Sequence, residues 1–146
     1  MDVTPELVDR ERSWTRERAP TIAALINEVR GNLGEFFGVS VGTVTEAAVR
    51  EEVDVVFADG KRAVNAAALI ALLRDLDVVA DYPGFVVDEL LGRELAGLIA
   101  GEQPFRLLGE ATFHYADLLT HTTGTAGRDD LDAALAAGFQ TRLPGW

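Results

Sequence analysis

Apolar residues recur at helical spacing along most of the chain, and this periodicity is the strongest constraint on its fold. Ile22, Leu25, Ile26 and Val29, for example, mark one face of a helix that ends near Gly31. The same pattern predicts helices at about Thr4–Arg18, Thr21–Arg30, Leu33–Phe37, Asn65–Leu76, Phe85–Ile99, Phe105–Thr120 and Asp129–Gly138.

One segment departs from the helical pattern and predicts strands. Val53, Val55 and Phe57 alternate with polar residues, and Asp59-Gly60 is a frequent two-residue turn between paired strands. Residues 53–64 are therefore predicted to form a β-hairpin. The predicted fold class is α+β, predominantly helical, with an N-terminal helical unit that carries this hairpin and a C-terminal helical half.

The length favours a single domain with a substantial core. The chain has 146 residues, of which 48% are hydrophobic, so it can bury enough apolar surface to fold. We find no internal repeat and no long linker. We predict one domain, 1–146, with two sub-units: residues 1–64, holding the hairpin, and residues 65–146, which are helical.

The charge balance is strongly acidic. There are 24 acidic against 13 basic residues, a formal net charge of −11, and the only lysine is Lys61. This composition resembles that of proteins from salt-loving archaea, in which acidity serves solubility. The chain has no cysteine, which fits a reducing compartment, and no apolar run approaches the roughly 20 residues of a membrane span. We therefore expect a cytoplasmic protein without a membrane segment.

Residues 33–50 read LGEFFGVSVGTVTEAAVR. Gly34 stands where two helices would cross closely, and Gly38 stands where a tight turn needs a residue with left-handed backbone. The segment resembles the helix-turn-helix of bacterial and archaeal regulators, whose pattern is L-A-x-x-L-G-V-S-x-x-T-V-x-x-A. Winged members of those families carry a hairpin in the position of residues 53–64.

The resemblance implies a DNA-binding protein in which Thr21–Arg30 is a supporting helix and Ser40–Arg50 the recognition helix. The implied interior contacts are Leu33, Phe37, Val39, Val44 and Ala47. In such families the recognition helix lies in the major groove of double-stranded DNA. By analogy, Ser40 and Thr43 would contact the backbone, Thr45, Glu46 and Arg50 would face the bases, and Lys61 and Arg62 would lie at the wing tip.

Two features of the segment favour other interpretations. The positions that are often arginine or lysine in these families hold Val41 and Thr45 here, and phosphate contacts supply much of the affinity for DNA. The alternation in residues 39–45 is also compatible with a β-meander that continues into residues 53–64. Glu46–Glu52, however, favours a helix.

A polar stripe on the predicted helix Phe105–Thr120 suggests a metal site. Glu110, His114, Asp117 and His121 are spaced by four, three and four residues, so they share one face of a helix. Carboxylate and imidazole groups bind divalent metals. The alternative is a solvent-facing stripe, with the apolar side of the same helix in the core; its members are Leu107, Leu108, Ala111, Tyr115, Leu118 and Leu119.

These observations lead to three hypotheses. The first is a small, non-catalytic, helix-turn-helix regulator that binds double-stranded DNA. The second is a non-catalytic interaction domain that forms a homodimer through its C-terminal helices. The third is a metal-dependent enzyme centred on the stripe Glu110, His114, Asp117 and His121. No dinucleotide, phosphate-loop or Ser-His-Asp pattern is found, so no cofactor and no catalytic residue are predicted.

Overall fold

The computed structural model describes residues 1–76, 78, 81–120 and 127–145, and their regular structure is helical. The helices are α1 (Pro5–Glu17), α2 (Ala19–Phe37), α3 (Glu46–Ala58), α4 (Gly60–Asp75), α5 (Asp81–Phe85), α6 (Arg93–Ala100), α7 (Phe105–Thr120) and α8 (Arg128–Gln140), and a π-helical segment (Val86–Gly92) joins α5 to α6.

The predicted α+β class is wrong, because the described residues contain no β-strand and the fold is all-α. Residues 53–64 form the end of α3 and the beginning of α4 instead of a hairpin. The buried residues of α3 are Val49, Val53 and Val56, a helical spacing that outweighs the short alternation. Asp59 ends α3 and caps α4, since its carboxylate accepts a hydrogen bond from the Arg62 backbone N–H at 3.2 Å.

Helix α8 lies at the centre of the molecule. Every residue of α8 from Asp130 to Gln140 except Asp132 is buried, and helices α2, α3, α4, α6 and α7 and the π-helical segment all pack on it. Gly138, where the sequence predicted a helix end, lies inside α8. A Cβ at Gly138 would come within 2.7 Å of the Ile99 Cβ, so the glycine allows α6 and α8 to approach closely.

The two predicted sub-units share one core. The boundary predicted between residues 64 and 65 falls inside α4, and the core cluster contains residues from both sides of it, such as Ile26 and Val53 with Leu95 and Leu135. In the part of the chain that the structure describes, no helix is long and apolar enough to cross a membrane.

Candidate functional site

The helix boundaries in the predicted DNA-binding segment differ from those implied by the resemblance. Helix α2 runs without a break from Ala19 to Phe37, and Gly38 ends it with a left-handed backbone (φ 67°). Residues 39–45 are not helical, and α3 begins at Glu46 rather than at Ser40. Thr45 caps α3 by accepting a hydrogen bond from the Ala48 N–H at 3.1 Å.

Most of the interior contacts implied by the resemblance are not made. Val44 is buried, but Phe37, Val39 and Ala47 are exposed and Leu33 is only half-buried. Phe36 is 81% exposed and meets Phe37 edge to face, with ring centroids 5.1 Å apart. The end of α2 is therefore an exposed aromatic tip, where a helix crossing was expected.

The seven candidate DNA-binding residues are divided between two places. Ser40 and Thr43 are exposed in the non-helical segment 39–45, and Thr45 and Glu46 are exposed at the beginning of α3, with Arg50 one turn further on, at 3.5 Å from the Glu46 carboxylate. Lys61 and Arg62 lie in the first turn of α4, beyond the opposite end of α3. Eight residues of helix, about 12 Å, separate Arg50 from Ala58, and the predicted wing that would bring the two groups together is absent from the described residues.

Residues 39–45 are held by a buried arginine that the sequence analysis did not single out. The Arg30 guanidinium donates hydrogen bonds to the carbonyls of Gly42 (3.2 Å), Pro144 (2.7 Å), Gln140 (2.9 Å) and Leu143 (2.9 Å). Arg30 thereby joins α2 to residues 39–45 and to the segment that follows α8. Its position four residues after Ile26, on the buried face of α2, was the signal that could have identified it.

The described part of the predicted metal stripe does not assemble a metal site. His114 Nδ1 lies 3.7 Å from Glu89, and the Glu110 carboxylate pairs with Arg106 at 3.3 Å. His121 lies outside the described residues. Among the residues that the structure does describe, no group of three or more acidic, histidine or cysteine side chains could hold a metal ion.

Helix α7 buries a different face from the one expected. Its buried residues are Gly109, Thr112, Phe113 and Ala116. The leucines predicted to enter the core point outward: Leu107, Leu108 and Leu118 are exposed, as is Ala111, and Tyr115 and Leu119 are half-buried. The prediction that this apolar side lies in the core is therefore wrong for the exposed residues, although Tyr115 and Leu119 do pack against the core.

Small residues explain the orientation of α7. A Cβ at Gly109 would lie 2.9 Å from the Ala100 Cβ and 3.1 Å from the Ala96 carbonyl, so this face of α7 approaches α6 more closely than a leucine would permit. Phe113 packs on Gly92 of the π-helical segment. The buried Thr112 hydroxyl donates to the Leu108 carbonyl (2.8 Å), which satisfies it within the helix. Close packing of small residues thus leaves the leucines outside.

We call Leu107, Ala111, His114 and Leu118 the outer face of α7. Successive members are four, three and four residues apart, so they form a single stripe along the helix. Charged residues border this stripe on one flank, where Arg106 is held by Glu94 (2.8 Å) and Glu110 (3.3 Å). Three of the four side chains of the outer face are apolar, and an apolar surface with a polar border is the usual arrangement of a protein-protein contact surface.

Comparison with known proteins identifies the family but gives no activity. The chain belongs to the family described as domain of unknown function DUF7984, which it matches over residues 1–146. No curated protein and no solved structure matches it.

Proposed function

We propose that this chain is a non-catalytic interaction domain that forms a homodimer through the outer face of α7. The observation that supports this proposal is the orientation of α7, which buries glycine and threonine while its leucines stay outside. Leu107 is 63% exposed and Leu118 is 73% exposed. Burying a leucine side chain contributes about 2 kcal/mol, so a partner that covers this face would be stabilised on it by the burial of leucines that are exposed in the monomer.

The spacing of the outer face suits a second copy of the same chain. Because the intervals of four, three and four residues read identically in both directions, two antiparallel copies of α7 present matching stripes. A two-fold axis midway between Ala111 and His114 would place Leu107 of each copy opposite Leu118 of the other. The small Ala111 would then face His114, which lets the helices approach at the centre. Such self-complementarity is what a two-fold interface requires.

Sedimentation velocity on paired variants tests the proposal. We expect the parent chain to sediment as a dimer and the double variant Leu107→Gln/Leu118→Gln to sediment as a monomer. Glutamine has nearly the helix propensity of leucine, and both positions are exposed, so the variant should keep its fold. The matched control is Phe36→Gln/Phe37→Gln, which removes a comparable exposed apolar patch at the end of α2 and should remain dimeric.

Two results would contradict the proposal. One is a parent chain that sediments as a monomer at all concentrations up to about 1 mM, the weak limit of specific association. The other is a reversed outcome, in which the Phe36/Phe37 variant dissociates and the Leu107/Leu118 variant does not. Helix content measured by circular dichroism at the same concentrations separates dissociation from unfolding.

DNA binding through residues 40–50 is a second proposal, supported by the exposure of Ser40 and Thr43 in the segment before α3 and of Thr45 and Glu46 at its beginning. The first turn of a helix attracts phosphate. Exchanging Thr45, Glu46 and Arg50 for alanine should then weaken the binding of double-stranded DNA, measured by fluorescence anisotropy. Unchanged affinity in that triple variant would remove this proposal. The predicted cytoplasmic location remains a prediction, and it is compatible with both proposed functions.

The metal-dependent enzyme is a third and weaker proposal, for which the proximity of His114 and Glu89 is the supporting observation. Elemental analysis of the purified chain tests it, together with thermal unfolding in the presence of a chelator. A metal content near zero and an unchanged unfolding temperature would remove it.

A further inference from the structure

A cavity of about 300 Å³ lies between α1, α4 and α8, away from α7. Its lining residues are Trp14, Arg18, Arg74, Arg128, Leu131 and Asp132. Three of the 13 basic residues of a chain with net charge −11 therefore meet around one cavity.

Two of the three arginines are fixed by carboxylates. Arg18 makes a bidentate contact with Asp132, with Nη2 at 2.7 and 2.8 Å from the two oxygens. Arg74 pairs with the fully buried Glu11, with Nη2–Oε1 at 2.8 Å. Both guanidinium groups also lie over the Trp14 ring, at 5.3 and 5.1 Å from its centroid. These contacts hold the indole and both arginines in place before any ligand binds.

The third arginine supplies the charge that is not neutralised. Arg128 is the first residue of α8 and is exposed, and it forms no ion pair within the described residues. Arg18 pairs with Asp132 and Arg74 with Glu11, so Arg128 is the lining arginine for which the described residues show no carboxylate partner. A guanidinium presents a planar set of N–H donors that matches carboxylate and phosphate oxygens.

We propose that this cavity binds a small organic anion, whose carboxylate or phosphate pairs with Arg128 and whose flat apolar part packs against Trp14 and Leu131. The volume supports a small ligand, since pockets for small molecules range from roughly 300 to 1,000 Å³. Asp132 is engaged by Arg18, so its carboxylate does not compete for Arg128. This inference is independent of the dimer, because neither α7 nor its outer face contributes to the cavity.

NMR titration of the Trp14 indole N–H tests the inference. The chain has two tryptophans, so a Trp146→Phe background leaves Trp14 as the only indole signal. Phenyl phosphate, benzoate and inorganic phosphate are added separately at constant ionic strength. We expect a saturable shift with phenyl phosphate or benzoate, and the tighter of the two identifies the anionic group.

Matched variants assign the binding to Arg128. Arg128→Gln should raise the dissociation constant about tenfold, the loss expected for one charge-assisted contact. Lys61→Gln, which removes the same charge at an exposed position outside the cavity, should leave the dissociation constant unchanged.

Three outcomes would overturn the inference. The first is the absence of a saturable shift with both phenyl phosphate and benzoate. The second is equal weakening by Arg128→Gln and Lys61→Gln, which would mean that only net charge matters. The third is inorganic phosphate binding as tightly as phenyl phosphate, which would remove the role of Trp14 and Leu131. Sedimentation of the same samples reports the dimer separately, so failure of one proposal is distinguishable from failure of the other.

Discussion

At the scale of single residues, Arg30 donates hydrogen bonds to more backbone carbonyls than any other side chain in the described structure. It is buried, and desolvation lowers its pKa. Its four carbonyl partners belong to residues 39–45 and to the chain around the end of α8. Because buried carbonyls need donors, one guanidinium satisfies the end of the central helix and fixes the segment where a recognition helix was expected.

Replacing Arg30 should therefore be strongly destabilising. We expect Arg30→Met to lower the free energy of unfolding by about 3 kcal/mol, because several buried carbonyls lose their donor. Urea denaturation measures this loss. The control Lys61→Met, at an exposed position in the first turn of α4, should change stability by less than about 0.5 kcal/mol. Equal losses in the two variants would contradict the role given to Arg30.

The ion pairs of Asp54 should make the stability of the fold depend on pH. Desolvation raises the pKa of Asp54, but the hydrogen bonds and positive charges of Arg16 and Arg12 together outweigh it and lower the pKa. Because the pKa of Asp54 is lower in the folded state, its ionised carboxylate stabilises the fold at pH values above the unfolded-state pKa of about 3.9. This stabilisation is lost as the pH falls through the folded-state pKa. The side chain is 39% exposed, so the contribution should stay below about 1 kcal/mol.

The stability difference between the parent chain and Asp54→Asn should accordingly be largest near neutral pH and shrink below about pH 4. Urea denaturation across this pH range measures it. Asp9→Asn, at an exposed position of α1, should show no such trend. A difference that grows as the pH falls would contradict the assignment.

At the scale of elements, periodicity predicted the helices well and their ends less well. The helix predicted at Phe105–Thr120 is present with those bounds, and Thr4 caps α1 as the first residue of a predicted helix. The break predicted after Gly31 is absent, because one glycine costs a helix only about 1 kcal/mol and Arg30 and Gly34 are buried on either side of it. Contacts of this kind are distant in sequence and leave no local pattern.

The candidate site was predicted only in part, for a related reason. Leu107, Ala111 and Leu118 of the outer face were grouped from sequence as part of the apolar side of α7, whereas His114 was placed in the metal stripe. The direction of the apolar side was not predicted, because both a leucine face and a glycine-alanine face can pack against a neighbour. Gly109 against Ala96 and Ala100 decided between them. The cavity around Trp14 joins α1, α4 and α8, which are far apart in sequence, so no motif could reveal it.

Because α6 and α8 pack closely, substituting alanine for glycine should have opposite effects on stability at Gly138 and at Gly31. Gly138→Ala should destabilise by about 1 to 3 kcal/mol, because the new Cβ would meet Ile99 Cβ at 2.7 Å and the Ala96 carbonyl at 3.0 Å. Gly31→Ala in α2, where a Cβ would have no atom within 4 Å, should stabilise by up to about 1 kcal/mol. Thermal unfolding monitored by circular dichroism compares the two, and the same sign for both would contradict this view of the packing.

At the scale of the whole molecule, the net charge of −11 opposes the association of two copies. Salt screens such repulsion, since the Debye length falls from about 10 Å at 0.1 M to about 3 Å at 1 M. We therefore expect the dissociation constant of the dimer, measured by sedimentation equilibrium, to fall as KCl is raised over this range. Weaker association at high salt would mean that ion pairs, rather than the leucines of the outer face, dominate the interface.

The central claim is that two copies meet through the outer face of α7, and site-directed cross-linking tests it most directly. The chain has no cysteine, so a single cysteine can be placed at will. Ala111→Cys, next to the proposed two-fold axis, should be converted to a covalent dimer by a short bismaleimide, whereas Phe36→Cys at the end of α2 should not be cross-linked. Cross-linking at position 36 but not at 111, or at neither position, would contradict the account.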